Sequence, residues 1–578
     1  MQSRLSILLL TVIAMMFATT SVFGRTKVIV RQDMDLVKVL AGKDVEFVIK
    51  EDINLGGRIV IIGKGSILSF KSGSLSNGTV VGNNTKVKAN NYEIFKRGYT
   101  RYRAYIAEGA SKGSPPSLKK EYHNCIVIEG TWNNKNCGTK WTGLLNGSDE
   151  DVMLAMKNFA VLHAEGATII FPTITALGYE ATKFPGNHII DFNYSTISYP
   201  DHLNVWEDKS ISLPKGAKPA EMESGYGLLS LNSNTTAKNL TVDGKSCKRQ
   251  DETLRLGVSC IVSIGNANNV TLENISLSNV LGPGITAQSK AKDINFKNCK
   301  FQNIGEHIIY SHQYLGYCRF EDCTFDTWDS ERISVFRNGM DYLYKHTPPV
   351  DNDGVSYDDL YRFELSFSRC TFNNPKRVNS QGRTLGGFLT GSFPVVITIT
   401  DSKFIGAQPP LNPGGGSTIS ERSAKNFRMI VRGCDGAPYV YASKSNYNIV
   451  TEFYDCINIP FRTVYAKRYE NCKLYLDVYE ENIENVSSSF KREFSQPLII
   501  KNCEFTDDGR DVKINHPLFH RSVSFVGCRF SSKVQRNNKS DIVTVKVDGL
   551  PTISFQECDV NLPAFRLIGG KQVQAIVR

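Results

Sequence analysis

Short runs of aliphatic and aromatic residues, closed by Asn, Asp or Gly corners, recur along the second half of the chain. The clearest pair lies between Ile294 and Asn338, where Phe296-x-x-Cys299-x-Phe301 returns as Phe320-x-x-Cys323-x-Phe325 after 24 residues. Within the same stretch Glu306-His307-Ile308 returns as Glu331-Arg332-Ile333 after 25. A period of this length, built from β-branched and aromatic runs, predicts a parallel β-helix, because one coil cannot bury its apolar face alone and stacked coils share a continuous core. Strands are expected over 238–242, 270–277, 294–301, 318–325, 363–372, 396–404, 427–434, 450–457, 498–505, 523–530 and 553–560.

The cysteines sharpen this pattern. Fourteen cysteines in an exported chain ordinarily suggest disulfides. Here Cys299, Cys323, Cys370, Cys434, Cys456, Cys472, Cys503, Cys528 and Cys558 sit beside strand positions, with Ser402 in the equivalent place. A small, moderately apolar side chain once per coil predicts a ladder of buried thiols along the solenoid axis. Cys125 with Cys137, and Cys247 with Cys260, fall outside the ladder and are the better disulfide candidates. Ladder intervals run from 16 to 47 residues, so loops are inserted between coils, the largest over 338–360.

Ahead of the solenoid, residues 25–105 predict a small β-rich unit with short strands such as Ile59-Val60-Ile61-Ile62 between Gly-rich corners. Its Tyr- and Arg-rich end, Tyr92 to Tyr105, is read as covering the seam between units rather than touching a ligand. Residues 106–147 read as a connection, and 148–578 as the solenoid domain. Ser148-Asp149-Glu150-Asp151 matches a capping box, and Val152, Ala155, Met156, Phe159 and Leu162 share one helical face. This predicts a helix covering the open end of the stack, where bare strand edges invite aggregation.

That helix, followed by Gly166-Ala167-Thr168-Ile169-Ile170-Phe171-Pro172, resembles the entry to the pectate-lyase-like β-helix superfamily. The run Gly73 to Thr85 resembles the N-terminal segments of exported β-helical carbohydrate-active proteins of gut Bacteroidetes. The resemblance implies an all-β, right-handed parallel β-helix with an N-terminal capping helix. The architecture carries lyases, hydrolases, epimerases and binding proteins alike, so it implies no single activity.

Arg4 and the apolar run Leu5 to Phe17 read as a signal peptide ending near Gly24, too short to span a membrane stably. Without it the chain carries 67 basic against 57 acidic residues, or +10. Combined with the lack of nucleic-acid motifs and of any later apolar run long enough to span a membrane, this balance suits a secreted or periplasmic protein that meets an acidic polysaccharide.

The candidate chemistry lies on the second repeated strand. Aligned without gaps, the two units put His307 under Arg332, Tyr310 under Val335, Ser311 under Phe336 and His312 under Arg337. Alternation then turns His307, Ser311, Arg332 and Phe336 outward and Ile308, Tyr310, Ile333 and Val335 inward. Eliminative cleavage of a uronate needs a cation at the carboxylate, a base for the C5 proton and an acid for the leaving oxygen. His307 or His312 supplies the base on this reading, Tyr310 or Tyr344 the acid, and Arg332, Arg337 and Arg383 the cation. Trp328, Phe336, Tyr344, Lys345 and His346 would contact substrate. A hydrolase would instead pair Glu306 with Glu331, or use Asp326 or Asp329 at wider separation. A non-catalytic polysaccharide-binding solenoid is the third reading. No cofactor is expected, Asp351, Asn352 and Asp353 being the one weak place for Ca²⁺.

Overall fold

The computed structural model describes residues 25–105, 117–178, 182–199, 205–207, 228–244, 262–265, 267–280, 284–287, 292–304, 307–311, 316–326, 334–338, 363–374, 387–390, 395–406, 410–412, 427–440, 449–461, 466–475, 498–506, 522–530, 539–547, 553–559 and 573–577. Within these the chain is a parallel β-helix, as the repeat predicts. A 25-stranded sheet and a 9-stranded sheet run along it; among the described residues the short one ends at Tyr439–Val440, while the long one continues to Val573–Val577.

One local rule repeats at every coil of the long sheet. The residue before each ladder position has a left-handed backbone: Asn298 (φ 50°), Asp322 (54°), Arg369 (53°), Asp401 (49°), Gly433 (63°), Asp455 (54°), Asn471 (55°), Asn502 (52°), Gly527 (62°) and Glu557 (54°). Asn, Asp and Gly reach this region most cheaply, which is why they dominate the corner. The bend splits each expected strand in two: residues 294–301 form Lys292–Lys297 and Lys300–Ile304, turning at Asn298 and Cys299. A hydrophobic run alone did not reveal the corner.

Two ladders brace the bends. Outside, the Asn274 amide donates to Asn239 Oδ1 at 2.8 Å, Asn239 donates to Asp191 Oδ1 at 2.8 Å, and Asn502 donates to Asn471 Oδ1 at 3.3 Å. Inside, the expected thiol ladder is present, with Cys299, Cys323, Cys370, Cys434, Cys456, Cys472, Cys503, Cys528 and Cys558 at most 2% exposed. Ser402 fills its rung by donating to Thr400 O at 2.8 Å and accepting from Cys370 N at 3.0 Å. On either side of the thiols, rings stack coil on coil: Phe296 on Phe320 (4.5 Å), Phe320 on Phe367 (4.9 Å), Phe325 on Phe372 (4.7 Å) and Phe372 on Phe404 (4.5 Å). Each such pair adds roughly 0.5–1.5 kcal/mol beyond its area burial.

The N-terminal unit is a smaller parallel stack with its own core around Phe47, Val60, Leu68 and Ile126. Ile126–Trp132, inside the stretch read from sequence as a connection, pairs in parallel with Gly78–Lys88. The helix Met153–Val161 lies between the two stacks. Its Met153, Met156 and Phe159 enter the solenoid core, while Asn158 accepts from Ile128 N (2.9 Å) and donates to Ile126 O (2.6 Å). Asn134 repeats this device with Val87 N (2.8 Å) and Leu162 O (2.7 Å). Side-chain amides thus pair buried strand edges that would otherwise lack partners. The expected capping box is not formed. Val152 is the N-cap without a side-chain bond, and Asp151 accepts from Met153 N two residues on.

Cys125 and Cys137 are free thiols, contrary to the expected disulfide; Cys125 Sγ lies 3.3 Å from Tyr99 O. Cys247 and Cys260 fall outside the described residues, as do residues 1–24. At the far end, Lys539–Val547 pairs antiparallel with Ile553–Asp559 and Val573–Val577, which breaks the parallel pattern of the stack.

Two predictions follow from these ladders. Asn274→Ala removes two amide bonds and leaves an alanine in the left-handed region, costing about 2–3 kcal/mol; Asn274→Gly keeps the backbone and costs less, so urea midpoints should rank wild type, Gly, Ala. Of fourteen cysteines, twelve are described and free; burial pushes Cys137 up to about 12, and the hydrogen bond with Cys299 raises Cys323 to about 12. Eleven of the twelve described thiols are buried and Cys137 is half-buried, so a thiol reagent at pH 8 should label at most three thiols in the folded chain and all fourteen in denaturant.

Candidate functional site

The short sheet carries the stretch that the sequence singles out. His307–Ser311 pairs on one side with Ile285–Ala287 and on the other with Ser334–Asn338. The coil partners are His307 with Ser334, Ile309 with Phe336, Tyr310 with Arg337 and Ser311 with Asn338. The gapless alignment of the two repeats is therefore two residues out of step. Partners on this sheet are 27 residues apart rather than 25, which an alignment anchored on Glu306 and Glu331 cannot detect.

With the register in hand, the sheet separates into two rows. One runs Thr182, Leu229, Val262, Ile285, Ile309, Phe336, Leu389 and Leu411. Leu229, Val262, Ile285 and Ile309 are at most 1% exposed, so this is the core row. The other runs Lys183, Ser230, Ser263, Thr286, Tyr310, Arg337, Thr390 and Asn412. Its members are all polar. Lys183 is exposed and Ser230 and Thr286 are half-buried, whereas Ser263 is 2% exposed.

This sorting revises the expected orientations. Tyr310, expected inward, takes a position in the polar row directly beside Arg337. Phe336, expected outward as a substrate contact, takes the core row next to Ile309. Ile308 and Ile309 are both buried, so simple alternation does not hold at the start of this strand. His307 opens the strand opposite Ser334, three positions before Tyr310, or about 10 Å along an extended chain. Glu306, His312, Trp328, Asp329, Glu331, Arg332, Tyr344, Lys345, His346, Arg383, Asp351, Asn352 and Asp353 lie outside the described residues. Asp326 is described, and lies on the long sheet rather than beside Tyr310; it accepts from the Asn373 amide at 2.9 Å. Among the described residues no group of three or more His, Cys, Asp or Glu side chains is arranged to hold a metal ion.

The long sheet has a different electrostatic character. One of its outward rows reads Asp191, Lys238, Glu273, Lys297 and Glu321 on successive coils. Opposite charges alternate, and Lys238 Nζ is 3.4 Å from Asp191. Burial works against ionised Asp191, but the Asn239 amide, the Asn193 N–H and the Lys238 ammonium together hold its carboxyl below the usual range. Further down, Arg428, Arg432, Glu452, Tyr454, Lys467, Arg468, Glu470 and Lys501 gather on four neighbouring coils. Sequence reasoning missed this group. The signal was the polar parity of Phe427–Arg432 and Ile449–Tyr454, which reads as an ordinary outward face until neighbouring coils are registered.

No protein-family model matches the sequence, and no curated protein does. Among solved structures the chain is similar to PfbA, a surface adhesin of Streptococcus pneumoniae, at 13% identity and TM-score 0.32, over 63% of this chain and 86% of that one. It is also similar to a hyperthermoactive exopolygalacturonase from Thermotoga maritima, at 11% identity and TM-score 0.29, over 71% and 86%. A polygalacturonase from Erwinia carotovora ssp. carotovora aligns at 13% identity and TM-score 0.25, over 84% and 93%. The parallel β-helix architecture itself rests on the chain's own strand pairing.

The register is directly testable. In the double variant Tyr310→Cys, Arg337→Cys a short thiol-specific crosslinker should join the two positions. The pair Tyr310→Cys, Val335→Cys, which the gapless alignment would favour, should remain unlinked in the same peptide map.

Proposed function

We infer that the protein is an exported lyase acting on a uronate-containing polysaccharide, with Tyr310 and Arg337 of the polar row of the short sheet among its reacting groups. The observation that carries this reading is that Tyr310 and Arg337 are partners on consecutive coils. Paired backbone positions about 4.8 Å apart that bear a tyrosine and an arginine offer the residue types for two of the three needs of β-elimination. Export through residues 1–24 and the positive balance of the chain fit an acidic polymer met outside the cytoplasm.

In the proposed reaction Arg337 neutralises the uronate carboxylate, which makes the C5 proton more acidic. A base, His307 or His312, removes that proton. The electron pair left at C5 forms the C4–C5 double bond as the C4–O bond breaks, and Tyr310 gives its proton to the departing oxygen. The products are a new non-reducing end bearing an unsaturated uronate and a new reducing end. Arg332, Arg383, Tyr344, Lys345, His346 and Trp328 are proposed to complete the groove around them.

Incubating the full chain with polygalacturonate, chondroitin sulfate, hyaluronan and heparin tests the reading. Ultraviolet absorbance of the unsaturated uronate should rise with one of them. Tyr310→Phe should lower turnover by about 10²–10⁴-fold and Arg337→Ala by about 10²–10³-fold, without change in far-ultraviolet circular dichroism. Reducing ends without the chromophore would make the protein a hydrolase, and binding without product a polysaccharide-binding solenoid.

A further inference from the structure

The cluster on the long sheet is more than an ion-pair network. Glu452 is 4% exposed although it stands on an outward row. Arg428 Nη2 lies 2.8 Å and Lys467 Nζ 3.8 Å from its carboxylate, and the Tyr454 hydroxyl donates to it at 3.5 Å. Lys467 reaches that position because of a β-bulge: Thr451 pairs with Ala466 and Glu452 with Arg468, so Lys467 is the extra residue. On the other side of Tyr454, the Arg432 guanidinium sits 4.1 Å from the ring centroid. On the next coils Glu470 meets Arg468 Nε at 3.0 Å and Lys501 Nζ at 3.4 Å.

The arrangement is a scaffold for cations. Burying a carboxylate is costly unless cations repay it, and here one buried carboxylate holds two of them while the phenol that donates to it braces a third. The outer parts of these cations stay open, with Arg428 51%, Lys467 64% and Lys501 43% exposed. Five cations stand against two carboxylates in this patch, whereas the upstream row of the same sheet alternates one to one. The coils on either side carry Ser366, Ser368, Thr398 and Thr400 above and Ser524, Val526, Ser554 and Gln556 below at the matching register. Hydroxyl and small side chains fill these positions on the flanking coils, so the concentration of charge is particular to these four.

We propose that this patch is a second, non-catalytic binding site for a linear anionic polysaccharide, lying on the long sheet and separate from the polar row of the short sheet. Four coils at about 4.8 Å spread the cations over about 14 Å along the axis. That spacing suits a polymer with an acidic group on successive sugars rather than one compact anion. Nucleic acid is the poorer fit, since the patch holds one aromatic ring and Arg432 already covers a face of it, leaving no platform for stacked bases. Holding the guanidinium groups in place beforehand lowers the ordering cost of binding. The site shares the substrate class of the proposed function and none of its reacting groups; it would keep the enzyme on the polymer between cleavages.

Binding of the full chain to immobilised polygalacturonate and to immobilised heparin tests the proposal, with the double variant Arg432→Gln, Lys501→Gln and, as control, Lys297→Gln on the upstream part of the same sheet. The double variant should bind more weakly by about tenfold for each charge removed, and the control should bind as wild type. Loss on polygalacturonate alone assigns carboxylates as the ligand groups, and loss on heparin alone assigns sulfates. Turnover of a short uronate oligosaccharide should be unchanged in the double variant. If wild type shows no turnover while the binding loss persists, only the catalytic reading fails. Equal binding by wild type and double variant, equal loss in the control, or tighter binding of single-stranded DNA than of either polymer would overturn the proposal.

Discussion

The structure depends on one backbone bend, repeated coil after coil, in which a residue in the left-handed region turns the chain immediately before a small buried side chain. The bend is possible because Asn, Asp or Gly stands there at most coils, and it persists because Asn amides bond along the outside while thiols and a serine stack along the inside. Arg369 and Glu557 are the two exceptions, and the Arg369 guanidinium bonds Asp322 of the coil before at 2.8 and 2.9 Å, so that corner too is tied to its neighbour. A slip by one residue would drive every thiol outward and every charged neighbour inward, which makes the register hard to alter.

That fixed register is what gives the surface its meaning. Parity at the bend decides which residues face out on the long sheet, and strand pairing does the same on the short one. Loops of very different length are inserted between coils without disturbing either, since only the strands carry the stack. Positions 310 and 337 therefore become strand partners across a separation of 27 residues, and Glu452 comes to lie between cations of the coils before and after it. The same device, a side-chain amide standing in for a strand, joins the two stacks through Asn158 and Asn134.

Much of this was legible in the sequence. The Phe-x-x-Cys-x-Phe period gave the solenoid, and the placement of the cysteines beside strand positions gave the thiol ladder. The bend was not legible, because the hydrophobic run continues through Asn298-Cys299 while the backbone turns there. The register of the candidate site was missed for a related reason. Similar sequence at Glu306 and Glu331 suggested an alignment, but hydrogen bonding pairs strands by geometry, and loop length between coils is free to change. A shift of two residues leaves parity unchanged; Tyr310 took the polar row and Phe336 the core row because alternation breaks at Ile308 and Ile309, which are both buried. The Cys125–Cys137 pairing failed because exclusion from the ladder says nothing about proximity.

On the proposed reading the polar row of the short sheet meets a uronate, with Arg337 at its carboxylate. A crystal structure of the Tyr310→Phe variant soaked with a uronate oligosaccharide tests it most directly. The expected result is a sugar lying along the row with its carboxylate on Arg337 and its glycosidic oxygen beside position 310. An oligosaccharide seated on another face, with this row left bare, would contradict it.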